Sequence, residues 1–265
     1  MELRCDDVDL HFDVVGDGPD VILLHPFPSS RRFWKPILPH FDSHFRLITP
    51  DLRGLGESGS GDRTITMERH AQDLLRLCDE LKVGRATFVG CSIGGYVLFE
   101  AWRRFRERFK TLVLCDTKAD PDDDTARASR LRAAEDVLLR GPGLFIANSL
   151  PKLIGESTQR NRPDIFDAAR ATTSASTAQG IAMLQRGMAE RVDSTRTLTE
   201  IDVPTMVLAG SEDTVTPTAL MEAMAAKIRN SEFHVIPGAG HFSPFERPDE
   251  FSRLLRPFLD KYARS

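Results

Sequence analysis

Val21-Ile22-Leu23-Leu24 is a short apolar run without polar alternation, and comparable strand signals recur at 45–49, 87–90, 111–115, 205–209 and 232–236. A strand that reads as a continuous apolar run is buried on both faces, which occurs in parallel sheets covered by helices on each side. Segments with helical spacing separate most of these runs. They cover 65–82 (with Leu74, Leu75, Leu77 and Leu81), about 93–105, 217–228 and 248–262. Strands alternating with helices imply βαβ units and a mostly parallel sheet. The first residues differ: 2–15 alternate as a hairpin turning near Asp6-Asp7, and Gly16-Asp17-Gly18-Pro19 is a turn.

The rhythm stops between about Lys118 and Thr199, where only helix-like stretches appear, at 124–140, 143–154, 164–171 and 176–191. An all-helical block between two strands reads as an insertion above the sheet. The expected division is a core of 1–117 and 200–265 and a helical cap of 118–199. Leu138, Leu139, Leu144, Phe145, Leu150, Leu153, Ile154, Met183, Leu184 and Met188 are expected to pack within that cap, some of them roofing an apolar pocket.

A chain of 265 residues suits one large α/β domain, and 41% hydrophobic with 28% charged residues is ordinary for a globular protein. The formal net charge of −4 argues against a nucleic-acid surface spanning the chain. No run approaches a membrane-spanning length, and Met1-Glu2-Leu3-Arg4 starts no apolar signal region. A cytoplasmic location is expected. Cys5, Cys78, Cys91 and Cys115 are widely spaced without a C-x-x-C pair, so reduced thiols and no zinc site are expected.

Gly-Cys-Ser-Ile-Gly-Gly at 90–95 is G-x-S-x-G at a strand-to-helix junction, the context that exposes a serine as a nucleophile. In open α/β sheets functional residues stand at the carboxyl ends of strands. There the sequence places His25-Pro26-Phe27-Pro28, Asp51 to Ser58, Ser92, Asp116, Gly210-Ser211-Glu212-Asp213 and Pro237 to His241. A hydroxyl, a base and a carboxylate are what nucleophilic acyl chemistry requires.

These pieces resemble the α/β-hydrolase superfamily over essentially the whole chain: Leu-Leu-His-Pro-Phe-Pro (23–28), Asp-Leu-Arg-Gly-Leu-Gly-Glu-Ser (51–58), the serine motif, Gly-Ser-Glu-Asp-Thr-Val-Thr-Pro (210–217) and Gly-Ala-Gly-His-Phe (238–242). The style is that of small cytosolic carboxylesterases and 3-oxoadipate enol-lactonase-like hydrolases. The resemblance implies an eight-stranded, mostly parallel sheet with a helical cap. It also implies Ser92 as nucleophile, Asp213 as acid and His241 as base, with backbone N–H groups of Phe27 and Ile93 as oxyanion donors. Asp116 and Glu212 are rival acids, and Asp116 is otherwise a hydrogen-bonding residue at the cap entry. Pro26 stands where the family usually has glycine and offers no N–H; a cis Phe27–Pro28 bond is implied. His25 is expected to brace this loop, and Phe242 to wall the pocket.

A serine rather than an aspartate nucleophile favours ester, thioester or lactone carbonyls over alkyl halides and epoxides. No cofactor or metal is required for a small-molecule ester or lactone. The same triad also serves hydrolases of carbon–carbon bonds and cofactor-free perhydrolases, and the fold serves small-molecule receptors. The oligomeric state stays open. Gly54 to Gly59 fits G-x-G-x-x-G, but a loop rather than a helix follows, against a dinucleotide site. The cations between Arg103 and Lys110 are expected at a helix end with Trp102, Phe105 and Phe109 packed beneath. Asp122-Asp123-Asp124 reads as a helix start rather than a calcium loop.

Overall fold

The computed structural model describes residues 1–173 and 175–264. Its eight-stranded sheet runs β1-β2-β4-β3-β5-β6-β7-β8. The strands are β1 (Glu2–Cys5), β2 (Val8–Val15), β3 (Asp20–Leu24), β4 (Arg46–Pro50), β5 (Ala86–Cys91), β6 (Phe109–Cys115), β7 (Thr205–Gly210) and β8 (Ser231–Ile236). β1 and β2 form the antiparallel hairpin, β2 pairs antiparallel with β4, and the remaining ladders are parallel. β5 and β7 are buried at every position. Apolar side chains there leave water on both faces, each worth about 1.5–3 kcal/mol when fully buried. β8 is an edge strand, as β1 is at the other end, and Val235 is correspondingly exposed.

Helix α1 (Met67–Glu80) starts where the Thr66 hydroxyl accepts the Arg69 N–H, and α2 (Ile93–Phe105) follows β5 directly. Between β6 and β7 the described residues form helices alone: α3 (Asp124–Arg140), α4 (Pro142–Leu153), α5 (Glu156–Asn161), α6 (Pro163–Thr172), α7 (Ala178–Ala189) and α8 (Thr195–Glu200). The Asp123 carboxylate caps α3 by accepting the Ala126 N–H, as expected of a helix start. α5 and α8 escaped the sequence reading, because one and a half turns carry too little periodicity to register. After β7 come α9 (Thr218–Ala225), α10 (Ser243–Glu246) and α11 (Pro248–Tyr262). Leu138 and Leu139, expected to pack, face solvent instead, Leu139 at 82% exposure. No helix among the described residues is long and apolar enough to cross a membrane.

The stretch Asp51 to Gly61 is a loop, and its charges explain its composition. Arg53 is buried and donates from Nε and Nη2 to Asp73 on α1 at 2.7 Å each, and from Nη1 to Asp7 at 2.6 Å. This bidentate pair ties the loop to α1 and to the first hairpin. The cations near the end of α2 are likewise spent locally. Arg103 and Arg104 bond Glu100, and Arg108 bonds Asp79, while Trp102, Phe105 and Phe109 are buried.

His70 on α1 carries a pH dependence. It is buried, and neither ring nitrogen has a hydrogen-bond partner among the described residues. Burial first, then the nearby Arg53 charge, pushes its pKa from 6.5 down to about 3. The folded ring is therefore neutral where the unfolded one takes up a proton. The unfolded chain binds more protons between those two values, so this group costs stability as pH falls below about 6.5, by up to about 1.4 kcal/mol per pH unit. His70→Leu is expected to flatten part of the acid loss. Urea midpoints at pH 7 and pH 4.5 for both proteins check this, and an identical shift in the two would refute it.

Candidate active site

The chain turns sharply out of β5, and Ser92 sits at φ 52° and ψ −114°. For a residue with a Cβ this left-handed conformation costs roughly 1–3 kcal/mol. Neighbouring contacts hold it. The Ser92 N–H donates to Cys115 O at 2.9 Å, and the Thr117 hydroxyl donates to Ser92 O at 2.7 Å. The bend leaves no room for side chains beside it. A Cβ on Gly90 would stand 2.6 Å from Gly94 C, and one on Gly94 would stand 2.5 Å from Leu24 O. Glycine at both positions is thus a steric requirement.

Ser92, His241 and Asp213 meet although they lie on three separate strand ends. His241 Nε2 is 2.8 Å from Ser92 Oγ, and His241 Nδ1 is 2.8 Å from Asp213 Oδ2. With Asp213 ionised, Nδ1 carries the proton and Nε2 accepts from the serine hydroxyl. Asp213 Oδ1 accepts the N–H groups of Val215 (2.7 Å) and Thr216 (3.0 Å), and Oδ2 also accepts the Thr216 hydroxyl. Burial would raise this carboxyl, but His241 and the Thr216 bonds outweigh it and hold the pKa at about 2. Thr216 is wholly buried, and its Oγ lies 3.3 Å from His241 Nδ1. Sequence reasoning missed it; its signal is only the three-residue spacing after the carboxylate.

The rival carboxylates point elsewhere. Glu212 accepts the Ser157 N–H at 2.8 Å and the Ser157 hydroxyl, so it faces α5. Asp116, at φ 44°, accepts Gly210 N–H at 2.8 Å with Oδ1, and with Oδ2 the Ser243 N–H at 3.2 Å and hydroxyl at 2.6 Å. It therefore ties the end of β7 to the segment just after His241. Burial, then the Asp213 charge, pushes the Asp116 carboxyl well up. Glu246, also unforeseen, accepts Gly240 N–H at 2.9 Å and Gly155 N–H at 3.0 Å. It joins the residue before His241 to the entry of α5.

His25 braces the loop after β3. Its Nδ1 is 3.0 Å from Pro26 O, and its Nε2 accepts the Leu52 N–H at 2.9 Å. Burial lowers its pKa, in keeping with a neutral ring. The Phe27–Pro28 bond is cis, and the Ser176 hydroxyl donates to Pro28 O at 2.8 Å. The backbone N–H groups of Phe27 and of Ile93, the first residue of α2, donate to no partner among the described residues. The Phe27 ring meets Phe145 edge-on at 5.8 Å.

Phe242, expected as a pocket wall, is wholly buried in the core instead, edge-on to Phe33 at 5.2 Å. Successive side chains in this turn diverge, so adjacency to His241 did not mean a shared direction. Cys91 is also buried, its thiol pushed well up by burial. No cluster of three or more His, Cys, Asp or Glu suited to a metal lies among the described residues.

The family of the alpha/beta hydrolase fold matches residues 19–248. A thermophilic esterase from Thermogutta terrifontis, solved with malate bound, is 40% identical with a TM-score of 0.96, covering 99% of each chain. The 3-oxoadipate enol-lactonase 1 of Acinetobacter baylyi is 27% identical over 251 residues, 92% of this chain and 89% of the relative. An enol-lactonase from Burkholderia xenovorans, 24% identical, shares the fold with a TM-score of 0.91 over 98% of this chain and 100% of the other. With its sheet, its serine turn and this match over most of its length, the chain belongs to the alpha/beta hydrolase fold family.

Proposed function

We propose that this protein is a serine hydrolase of carboxylic esters or lactones, working through an acyl-enzyme on Ser92. The observation that carries the reading is the unbroken chain Ser92 Oγ, His241, Asp213 beside two N–H groups that have no partner among the described residues. His241 Nε2 takes the Ser92 proton as Oγ attacks the substrate carbonyl. The Phe27 and Ile93 amides hold the oxyanion. The tetrahedral adduct expels its alkoxide, which takes the proton from His241. Water, deprotonated by the same nitrogen, then attacks the acyl-serine and restores the enzyme. Asp213 keeps the proton on Nδ1 and stabilises the imidazolium.

Residues 118–199 act in this reading as the cap. A cleft of about 410 Å³ lined by Phe27, Pro28 and residues of α3 and α4, among them Val137, Leu144, Phe145 and Leu153, supports a substrate pocket next to the oxyanion donor Phe27. The test is a p-nitrophenyl ester series from acetyl to dodecanoyl, alongside labelling with a fluorophosphonate. Turnover with a single adduct on Ser92 is expected. Turnover that persists after complete labelling of Ser92 would refute the acyl-enzyme.

A further inference from the structure

The link between α4 and α5 is tied to both turns that carry the acid and the base. On the side of the base, three residues of the turn that ends at Phe242 are held. Phe242 N–H donates to Leu153 O at 3.1 Å, so the residue after His241 hangs on the last residue of α4. The Glu246 carboxylate bridges Gly240 N–H and Gly155 N–H, at 2.9 Å and 3.0 Å. Arg247 donates from Nη1 to Thr158 Oγ1 on α5 at 3.0 Å and from Nη2 to Gly238 O at 2.5 Å. On the side of the acid, Glu212, the neighbour of Asp213, accepts the Ser157 N–H at 2.8 Å and the Ser157 hydroxyl. The two turns are joined as well, because Glu212 N–H donates to Ala239 O at 2.8 Å.

These ties leave no slack. A Cβ on Gly240 would stand 2.3 Å from Gly155 N, and one on Gly155 would stand 2.7 Å from Gly240 N. A Cβ on Gly210, at the end of β7, would stand 2.1 Å from Gly240 O. The strand end before Asp213, the turn before His241 and the α4–α5 link thus stack backbone on backbone, which only glycine permits. Glu246 is wholly buried, and both its oxygens accept a backbone N–H, as suits an ionised carboxylate. Burial pushes its carboxyl up, a cost that an apolar side chain packed in its place would avoid. What Glu246 supplies is therefore placement of the two turns it bridges.

The other end of the link reaches the cleft. Leu144, Phe145, Asn148, Ser149, Lys152 and Leu153 recur at four-residue steps, so one face of α4 lines the cleft beside Phe27. The helix that walls the cleft ends on the residue that holds Phe242, next to the base.

We propose that Glu246 and Glu212 are positioning residues of the hydrolytic reaction: they seat the His241 and Asp213 turns on the α4–α5 link, so that the wall of the cleft sets where the base stands over Ser92. This rests on the ester-hydrolase reading above and adds to it. Neither carboxylate bonds a triad side chain among the described residues; both act through the backbone beside them. His241 Nε2 has to stay within reach of Ser92 Oγ, now 2.8 Å away. A displacement of about 1 Å in such a group costs about a hundredfold in rate.

Variants on the two ties test this. In Glu246→Gln the amide keeps one acceptor oxygen and sets its NH2 group against a backbone N–H. Its kcat on p-nitrophenyl acetate and butyrate should fall by about tenfold to a hundredfold, with KM within about twofold of wild type. The rate at which a fluorophosphonate labels Ser92 needs the same base and should fall by a similar factor. Ser157→Ala removes one donor to Glu212 from the α5 side, at a residue that does not line the cleft. It should lower kcat by about threefold in the same pattern, and Ser157→Thr, which keeps the hydroxyl, should restore it. Thermal melts identify the folded proteins; if Glu246→Gln does not fold, the Ser157 pair decides alone. Folded variants that keep wild-type kcat and labelling rates, or that lose only melting temperature or only KM, overturn the proposal while leaving the esterase reading intact. Wild type that neither hydrolyses the esters nor takes the label overturns both.

Discussion

Replacing Ser92 with alanine is expected to lower kcat on the best ester by about a million-fold, the loss seen when a serine hydrolase loses its nucleophile. Ser92→Ala deletes one oxygen and leaves the backbone demand unchanged, since both residues carry a Cβ at φ 52°. The fold should therefore survive. Residual rate over water is expected from the Phe27 and Ile93 amides and from substrate binding. His241→Ala should cost nearly as much, and the double variant little more, because nucleophile and base act as one unit. Steady-state rates of the three purified proteins decide it. A loss below about a hundredfold in Ser92→Ala, far short of the nucleophile's share, would mean that water attacks directly and the acyl-enzyme is wrong.

The strands and the residues at their carboxyl ends were legible because both follow local rules. Continuous apolar runs mark buried parallel strands, and the turns after them carry the serine, the carboxylates and the histidine. Those turns alone left Asp116, Glu212 and Asp213 open as the acid, and the resemblance to the α/β-hydrolases is what singled out Ser92, Asp213 and His241. What escaped is held by contacts between residues remote in sequence. Asp122 and Arg191 are 69 positions apart, and Glu246 reaches Gly155 across 91. No local pattern announces such pairs. Phe242 went astray for the opposite reason: its nearness to His241 in sequence suggested a shared direction, and the turn sends its ring toward Phe33. The exposure of Leu138 and Leu139 has a similar origin. Helical spacing shows which residues share a face, but not whether anything covers it.

Asp213→Asn is expected to lower kcat by about ten-thousandfold, as removal of the charge does in other triads, and the hydrogen bonds around it say why. Asp213 Oδ1 accepts two backbone N–H groups, so the amide oxygen of an asparagine is drawn to that side. Its NH2 group then replaces Oδ2 and faces His241 Nδ1, where two donors cannot meet. The imidazole answers by placing its proton on Nε2, toward Ser92, and a protonated Nε2 cannot take the serine proton. Asp116→Asn should cost far less turnover, because Asp116 bonds Gly210 and Ser243 rather than His241. The two variants also differ in acid. A carboxyl held at about 2 in the folded state stabilises the fold above its unfolded value of 3.8, and that contribution is lost as pH falls toward 2. Asp213→Asn should therefore lose less stability than wild type between pH 4 and pH 2, while at neutral pH its defect is in kcat rather than KM. If Asp116→Asn proved the more damaging of the two to kcat, the acid of the triad would lie at the end of β6 and not at the end of β7.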